Sequence, residues 1–142
     1  MNVLKETIAV DANPLLSALR GGKTRQALLS DRFVFITTEQ TTWEVKKYIP
    51  EIALESGVAE IELFFAFDRF PIISVPSVAY REKLKQAENL IAHRDPKDVE
   101  ILALVLSFNI PLWTNDKDFE NLHEVKIFTT LSMLEKAGIL VE

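Results

Sequence analysis

Residues 7–22 read TIAVDANPLLSALRGG. A short apolar run of strand type, 7–10, stops at Asp11, and Pro14 then opens a stretch of helical composition that closes near Arg20 at Gly21 and Gly22. Proline suits a first helical turn because the N–H it lacks would have no helical partner there, and glycine ends a helix readily. Strand, acid, helix is the opening of an α/β unit, and the rest of the chain repeats the alternation. FVFIT (33–37), IISV (72–75), PLWT (111–114) and KIFT (126–129) are short and largely apolar, as strands are when both sheet faces are covered. From Thr41 a longer helix carries Val45, Tyr48, Ile49 and Ile52 at i, i+3, i+4 and i+7, and Pro50 within it predicts a kink or a split. Helices are also expected over 58–67 and 77–92, and from Asp95-Pro96 to Phe108 with Asn109 as the stop. The prediction is one domain over 1–142, a three-layer α/β/α fold around a central, mostly parallel five-stranded sheet.

Composition narrows the chemistry. The 142 residues include no cysteine and two histidines, His93 and His123, so disulfides and thiolate metal sites are excluded and a zinc site lacks ligands. The start, MNVLKETIAVDANPLL, has no basic segment followed by a long apolar one, and ILALVLSF (101–108) is too short to cross a bilayer. The expected compartment is the cytoplasm, with no membrane association. A net charge of −5 argues against a generic nucleic-acid coat protein but is compatible with an enzyme built around an acidic metal site.

Carboxylates recur at strand ends and helix starts. Asp11 follows the first strand and Asp116 the fourth, which puts both at the carboxyl edge of a parallel sheet, where such folds bind ligands. Glu44 lies on the flank of its helix's apolar stripe, about 40° from Tyr48. Asp98 sits at the third position of an apolar helix, on the side of Leu102 and Val105. Each acid alone has an ordinary reading: Asp11 as a cap, Asp98 as an acid favoured by the helix dipole, Glu44 as a solvated side chain, Asp116 and Asp118 as turn residues. Together they would repel unless divalent cations were bound, and oxygen-only ligands select hard ions such as Mg²⁺ or Mn²⁺.

IAVDANPLLSAL (8–19), TTEQTTWEV (37–45), DPKDVEILALVL (95–106) and PLWTNDKDF (111–119) resemble, in this order, the motifs of the PIN-domain family, and the likeness spans nearly the whole chain. The resemblance implies a central parallel sheet flanked by helices and a metal-dependent endoribonuclease, with RNA as substrate. Many small members are toxins of toxin–antitoxin pairs, so it also implies an antitoxin partner, and homodimers are common among relatives. Carried over by motif, Asp11, Glu44, Asp98 and Asp116 are the catalytic and metal-binding acids and Asp118 is an additional metal ligand. Asn13 and Thr114 become polar supports.

GGKT (21–24) imitates a phosphate loop but lacks the earlier glycine and follows a helix, so a helix end with loop cations is the better account. Among the basic residues, Arg20, Lys23, Lys46 and Lys97 lie nearest the acids and are the candidate RNA contacts. Trp43 should point away from its helix's apolar stripe, to pack against another helix or to stack on a partner or a base, and the reading favours packing in the core or an interface. A regulatory or binding module that keeps the fold without turnover is the alternative function. A receiver-type phosphoacceptor fits less well, because it lacks a lysine after a late strand and leaves Glu44 and Asp98 idle.

Overall fold

The computed structural model describes residues 4–140; positions 1–3, the first of the N-terminal stretch without a signal-peptide pattern, lie outside the described residues, as do 141–142. The elements run β1 (Glu6–Val10), α1 (Ala12–Leu19), α2 (Gly22–Leu28), β2 (Phe33–Thr38), α3 (Glu39–Ser56), α4 (Glu60–Arg69), β3 (Ile72–Val75), α5 (Leu84–Ile91), α6 (Val99–Phe108), β4 (Leu112–Trp113), β5 (Ile127–Phe128) and α7 (Thr130–Lys136). All five strands pair in parallel, in the order β3-β2-β1-β4-β5. The chain winds outward from β1 through β2 to β3, then returns to the other side of β1 with β4 and β5. The crevice at this reversal lies between the carboxyl ends of β1 and β4.

Alternation along the strands divides the core between two helical layers. Ile8, Val10, Phe35 and Trp113 pack with apolar residues of α1, α2, α3, α4 and α7. Ala9, Ile36 and Leu112 face the other way and pack with α5 and α6. A strand's side-chain period of two sends neighbours to opposite faces, which is why short apolar strands between two helical layers are required here. Trp113 is fully buried; its ring lies 5.6 Å from that of Phe35, and its Nε1 donates to Thr130 Oγ1 at 3.1 Å. The three-layer α/β/α prediction therefore holds.

Several boundaries differ from the sequence reading. The first helix begins at Ala12, not Pro14, because Asp11 caps it. GGKT is not a loop: Gly21, at φ +97°, turns the chain, and α2 starts at Gly22 because Thr24, Ala27 and Leu28 have an apolar layer to enter. The stretch read as one helix over 77–92 begins instead as two 3₁₀ turns, Ser77–Ala79 and Arg81–Lys83, before α5. Between them Tyr80 leaves helical geometry to bury its ring and donate to Glu100 Oε1 at 2.8 Å. Pro50 does not split α3; it sits on the helix's exposed face. Helix α7 was not anticipated. Asn109 does end α6, in the left-handed conformation at φ 52°.

Helix α3 starts at a defined cap. The buried Thr38 hydroxyl accepts from Thr41 N at 2.9 Å and donates to Thr41 Oγ1 at 2.8 Å. Thr38→Val keeps the side chain's shape and removes both bonds, and it should lower the unfolding free energy by about 1–2 kcal/mol. Urea denaturation reads this directly; an unchanged midpoint would mean that the cap contributes nothing.

Candidate functional site

Parallel register brings the first acid to its partners. Ala9 pairs with Leu112 and Val10 with Trp113, so the next step aligns Asp11 with Thr114. Asp11 N donates to the Trp113 carbonyl at 3.0 Å, and the Thr114 hydroxyl donates to Asp11 Oδ2 at 2.7 Å. Asp11 Oδ1 accepts from Ala12 N at 2.8 Å, so the capping reading is correct as far as it goes. Thr114 Oγ1 in turn accepts from Asp116 N at 3.0 Å and, at 3.5 Å, from Asn13 Nδ2. Asn13 Oδ1 takes Asn115 N at 3.2 Å. Asn115 is pinned on its far side by Thr130, through a pair of bonds of 2.8 Å each. The loop after β4 is thus fastened to β1, α1 and the start of α7.

The remaining acids arrive on short 3₁₀ turns. Asp95 caps the turn Pro96–Asp98 by accepting from Lys97 N at 2.9 Å, and Asp116 caps Lys117–Phe119 by accepting from Asp118 N at 2.9 Å. At three residues per turn, positions i and i+3 eclipse, which sets Asp95 and Asp98 on one side. Asp98 precedes α6 instead of lying inside it, correcting the expected third helical position. It makes no capping bond, and among the described residues its buried Oδ2 has no hydrogen-bond partner. One oxygen from each of Asp95, Asp98, Asp116 and Asp118 lies within 4.8 Å of the others.

A pocket of about 230 Å³ opens at this point, its walls including Asp11, Asn13, Glu44, Asp95, Asp98 and Asp116. Asp11 and Glu44 line it without belonging to the tight quartet. Asp95, expected only as the start of its helix, joins the acids; the i, i+3 spacing in Asp-Pro-Lys-Asp was the available signal. Lys97 reaches the pocket, whereas the other candidate RNA contacts are engaged elsewhere. Arg20 pairs with Glu55 at 3.0 Å, Lys46 with Asp68 at 3.8 Å, and Lys23 Nζ donates to the Leu140 carbonyl at 2.7 Å. His93 and His123 are exposed and outside the pocket. Trp43 points away from the apolar stripe as expected, and at 66% exposure it is not part of the core, because the stripe of α3 is Thr41, Val45, Ile49 and Ile52.

Burial and mutual repulsion shape the site's electrostatics. Desolvation, then the charges of Asp11, Asp116, Asp95 and Asp118, push the Asp98 carboxyl up to about 8. Burial also raises Asp11, against the hydrogen bonds from Thr114 and Ala12. Glu44 is raised by burial and by Asp11, with Lys97 opposing. A buried carboxylate oxygen without a donor, facing like charges, is costly in a protein interior. A hard divalent cation fits this all-oxygen donor set and would compensate it.

The sequence matches the family described as PIN domain over residues 9–136. Comparison with curated protein sequences gives no match. Among solved structures, the chain is similar to one from VapBC2 of Rickettsia felis bound to a DNA fragment from their promoter, with a TM-score of 0.65 and 11% identity over 87% of this chain and 98% of that one. A chain of a toxin–antitoxin complex from Klebsiella pneumoniae gives 0.63 and 21% identity, over 87% and 97%. A Pyrobaculum aerophilum protein gives 0.67 and 15%, over 96% and 98%. At these identities the likeness is one of fold.

A raised carboxyl pKa makes folding depend on pH in a definite direction. The unfolded Asp98 ionises near 3.8 and the folded one near 8, so between these values the folded state holds the proton more tightly. Stability from this group is complete below about 4 and is lost as pH rises through about 8. Chelator-treated protein should therefore melt at a lower temperature at pH 8.5 than at about pH 5, and Asp98→Asn should flatten that slope. Thermal melts across this range decide it, and a slope identical in the variant would refute the assignment to Asp98.

Proposed function

The chain belongs to the PIN-domain family, and on that premise we propose that it is a cytoplasmic, Mg²⁺- or Mn²⁺-dependent endoribonuclease acting at the pocket between β1 and β4. The observation that carries this reading is the partnerless, buried Oδ2 of Asp98 among converging carboxylates. Asp98, Asp116, Asp95 and Asp118 would hold the ion, with Asp11 and Glu44 completing the acidic wall. The chemistry a bound divalent ion supplies is a more acidic water and neutralisation of charge on the phosphate oxygens.

The protein's own groups do the positioning. Thr114 fixes the orientation of Asp11 through one carboxylate oxygen, while the Asn13–Asn115–Thr130 chain holds the loop that carries Asp116. Lys97 supplies positive charge at the rim of an otherwise acidic pocket, where an RNA phosphate has to approach. Metal-assisted hydrolysis of this type leaves a 5′-phosphate and a 3′-hydroxyl.

The same reading makes the chain the toxin of a toxin–antitoxin pair. Its support is the likeness in fold to chains from complexes of that kind. The apolar residues Leu54 on α3 and Ile61 and Phe65 on α4 are also exposed, and they offer surface for a second protein.

Asp11→Asn and Asp98→Asn should each lower Mn²⁺-dependent cleavage of single-stranded RNA by about 10²–10³-fold. Circular dichroism should show the fold retained. Calorimetric titration with Mn²⁺ should show binding to the unaltered protein, its loss in Asp98→Asn and a weaker affinity in Asp11→Asn, which removes one charge from the pocket wall. Full cleavage by both variants in the presence of metal would overturn the assigned site.

A further inference from the structure

Beside the acidic pocket is a second cleft, of about 150 Å³, lined by Gln40, Trp43, Glu44, Lys47, Tyr48 and Lys97. It shares Glu44, Tyr48 and Lys97 with the acidic pocket, so the two form one continuous surface between α3 and the turn before α6. Trp43 has no structural task to account for its position. It is 66% exposed, it lies off the buried stripe of its helix, and Lys47 Nζ stands 5.7 Å from its ring centroid. Among the described residues, neither Lys47 nor Lys97 has a carboxylate partner within 4.0 Å, whereas the neighbouring Lys46 pairs with Asp68.

A flat, accessible indole that shares its cleft with two unpaired cations matches a polymer of flat bases and anionic links. Aromatic side chains beside a basic track are how single strands are held without a fixed sequence. A duplex offers no unstacked base to such a ring, so the arrangement selects unpaired RNA. Gln40 adds an amide that can address a base edge. The acidic pocket alone would repel a polyanion, and the cations of this cleft adjoin it.

We propose that this cleft is a nucleobase subsite, in which an unpaired base next to the cleaved phosphate stacks on Trp43 while Lys47 and Lys97 hold the adjoining phosphates. The inference rests on the endoribonuclease reading and adds the residues of this chain that hold the strand beside the acidic pocket, with Trp43 as the stacking face.

Trp113 is fully buried, so quenching by a ligand reports on Trp43. In the Asp98→Asn background, with chelator present to stop residual cleavage, a short single-stranded oligouridylate should quench the exposed emission, and an RNA duplex of equal length should not. Trp43→Ala in the same background should weaken the affinity, followed by anisotropy of a labelled oligonucleotide, about tenfold. Trp43→Phe, which keeps a stacking face, should retain most of it. In the otherwise unaltered protein, Trp43→Ala should raise KM more than it lowers kcat. Oligonucleotide affinity unchanged by Trp43→Ala overturns the subsite, and continued cleavage would leave the nuclease reading standing. Trp43-dependent binding by a protein that never cleaves supports the subsite and removes the nuclease reading. Conversion of a dimer to a monomer by Trp43→Ala, with RNA affinity unchanged, identifies a second copy of the chain as the occupant and overturns the subsite.

Discussion

The parallel pairing of β1 with β4 sets the position of everything in the acidic pocket. Two residue pairs, Ala9 with Leu112 and Val10 with Trp113, fix the register, and the Thr114 hydroxyl extends it by one step to Asp11 at 2.7 Å. Sliding β4 by one residue would send Trp113 out of the layer it shares with Phe35 and replace Thr114 opposite Asp11. The apolar core and the polar site therefore hold each other in register. Trp113 gives the strongest penalty for a slip, since a fully buried indole has nowhere else to go.

Within that frame the acids divide by what already satisfies them. Asp11 receives a backbone N–H and a hydroxyl, and Asp116 and Asp95 each cap a short turn. Asp98 stands apart, since nothing donates to its buried Oδ2 and its neighbours are like charges. The architecture thus spends three carboxylates on local order and leaves the fourth in a position that only an additional cation or a bound proton relieves.

The parts of the fold legible from the sequence were those with a strong local pattern. The strands around Ile8, Phe35 and Trp113 are short and apolar because both their faces are covered, and Asn109 stops α6 by a conformation that asparagine tolerates. Strand order was not legible, since nothing in a strand's composition names its neighbour; hence Asp11 and Asp116 could be placed on one edge but not side by side. Asp95 was missed because it does cap a turn, and a residue with a sufficient local explanation draws no further scrutiny. For Trp43 the core half of the reading fails for a related reason. Aromatic rings usually serve packing, and only the finished surface shows that α3 has no helix covering that side. The run over 77–92 failed because the burial of Tyr80, a tertiary demand, overrode helical propensity.

The Thr114–Asp11 bond joins residues 103 positions apart, and this has a consequence during synthesis. A ribosome delivers α1, β2 and α3 long before β4 emerges, so a nascent chain can order its first half while Asp11 and Glu44 still lack every acid from the second. Pairings this distant in sequence are also slow to form, because the intervening loop must close before any contact compensates its entropy. The pocket is consequently assembled last, after nearly all of the chain has left the exit tunnel. A polypeptide cut short anywhere before β4 carries no complete pocket.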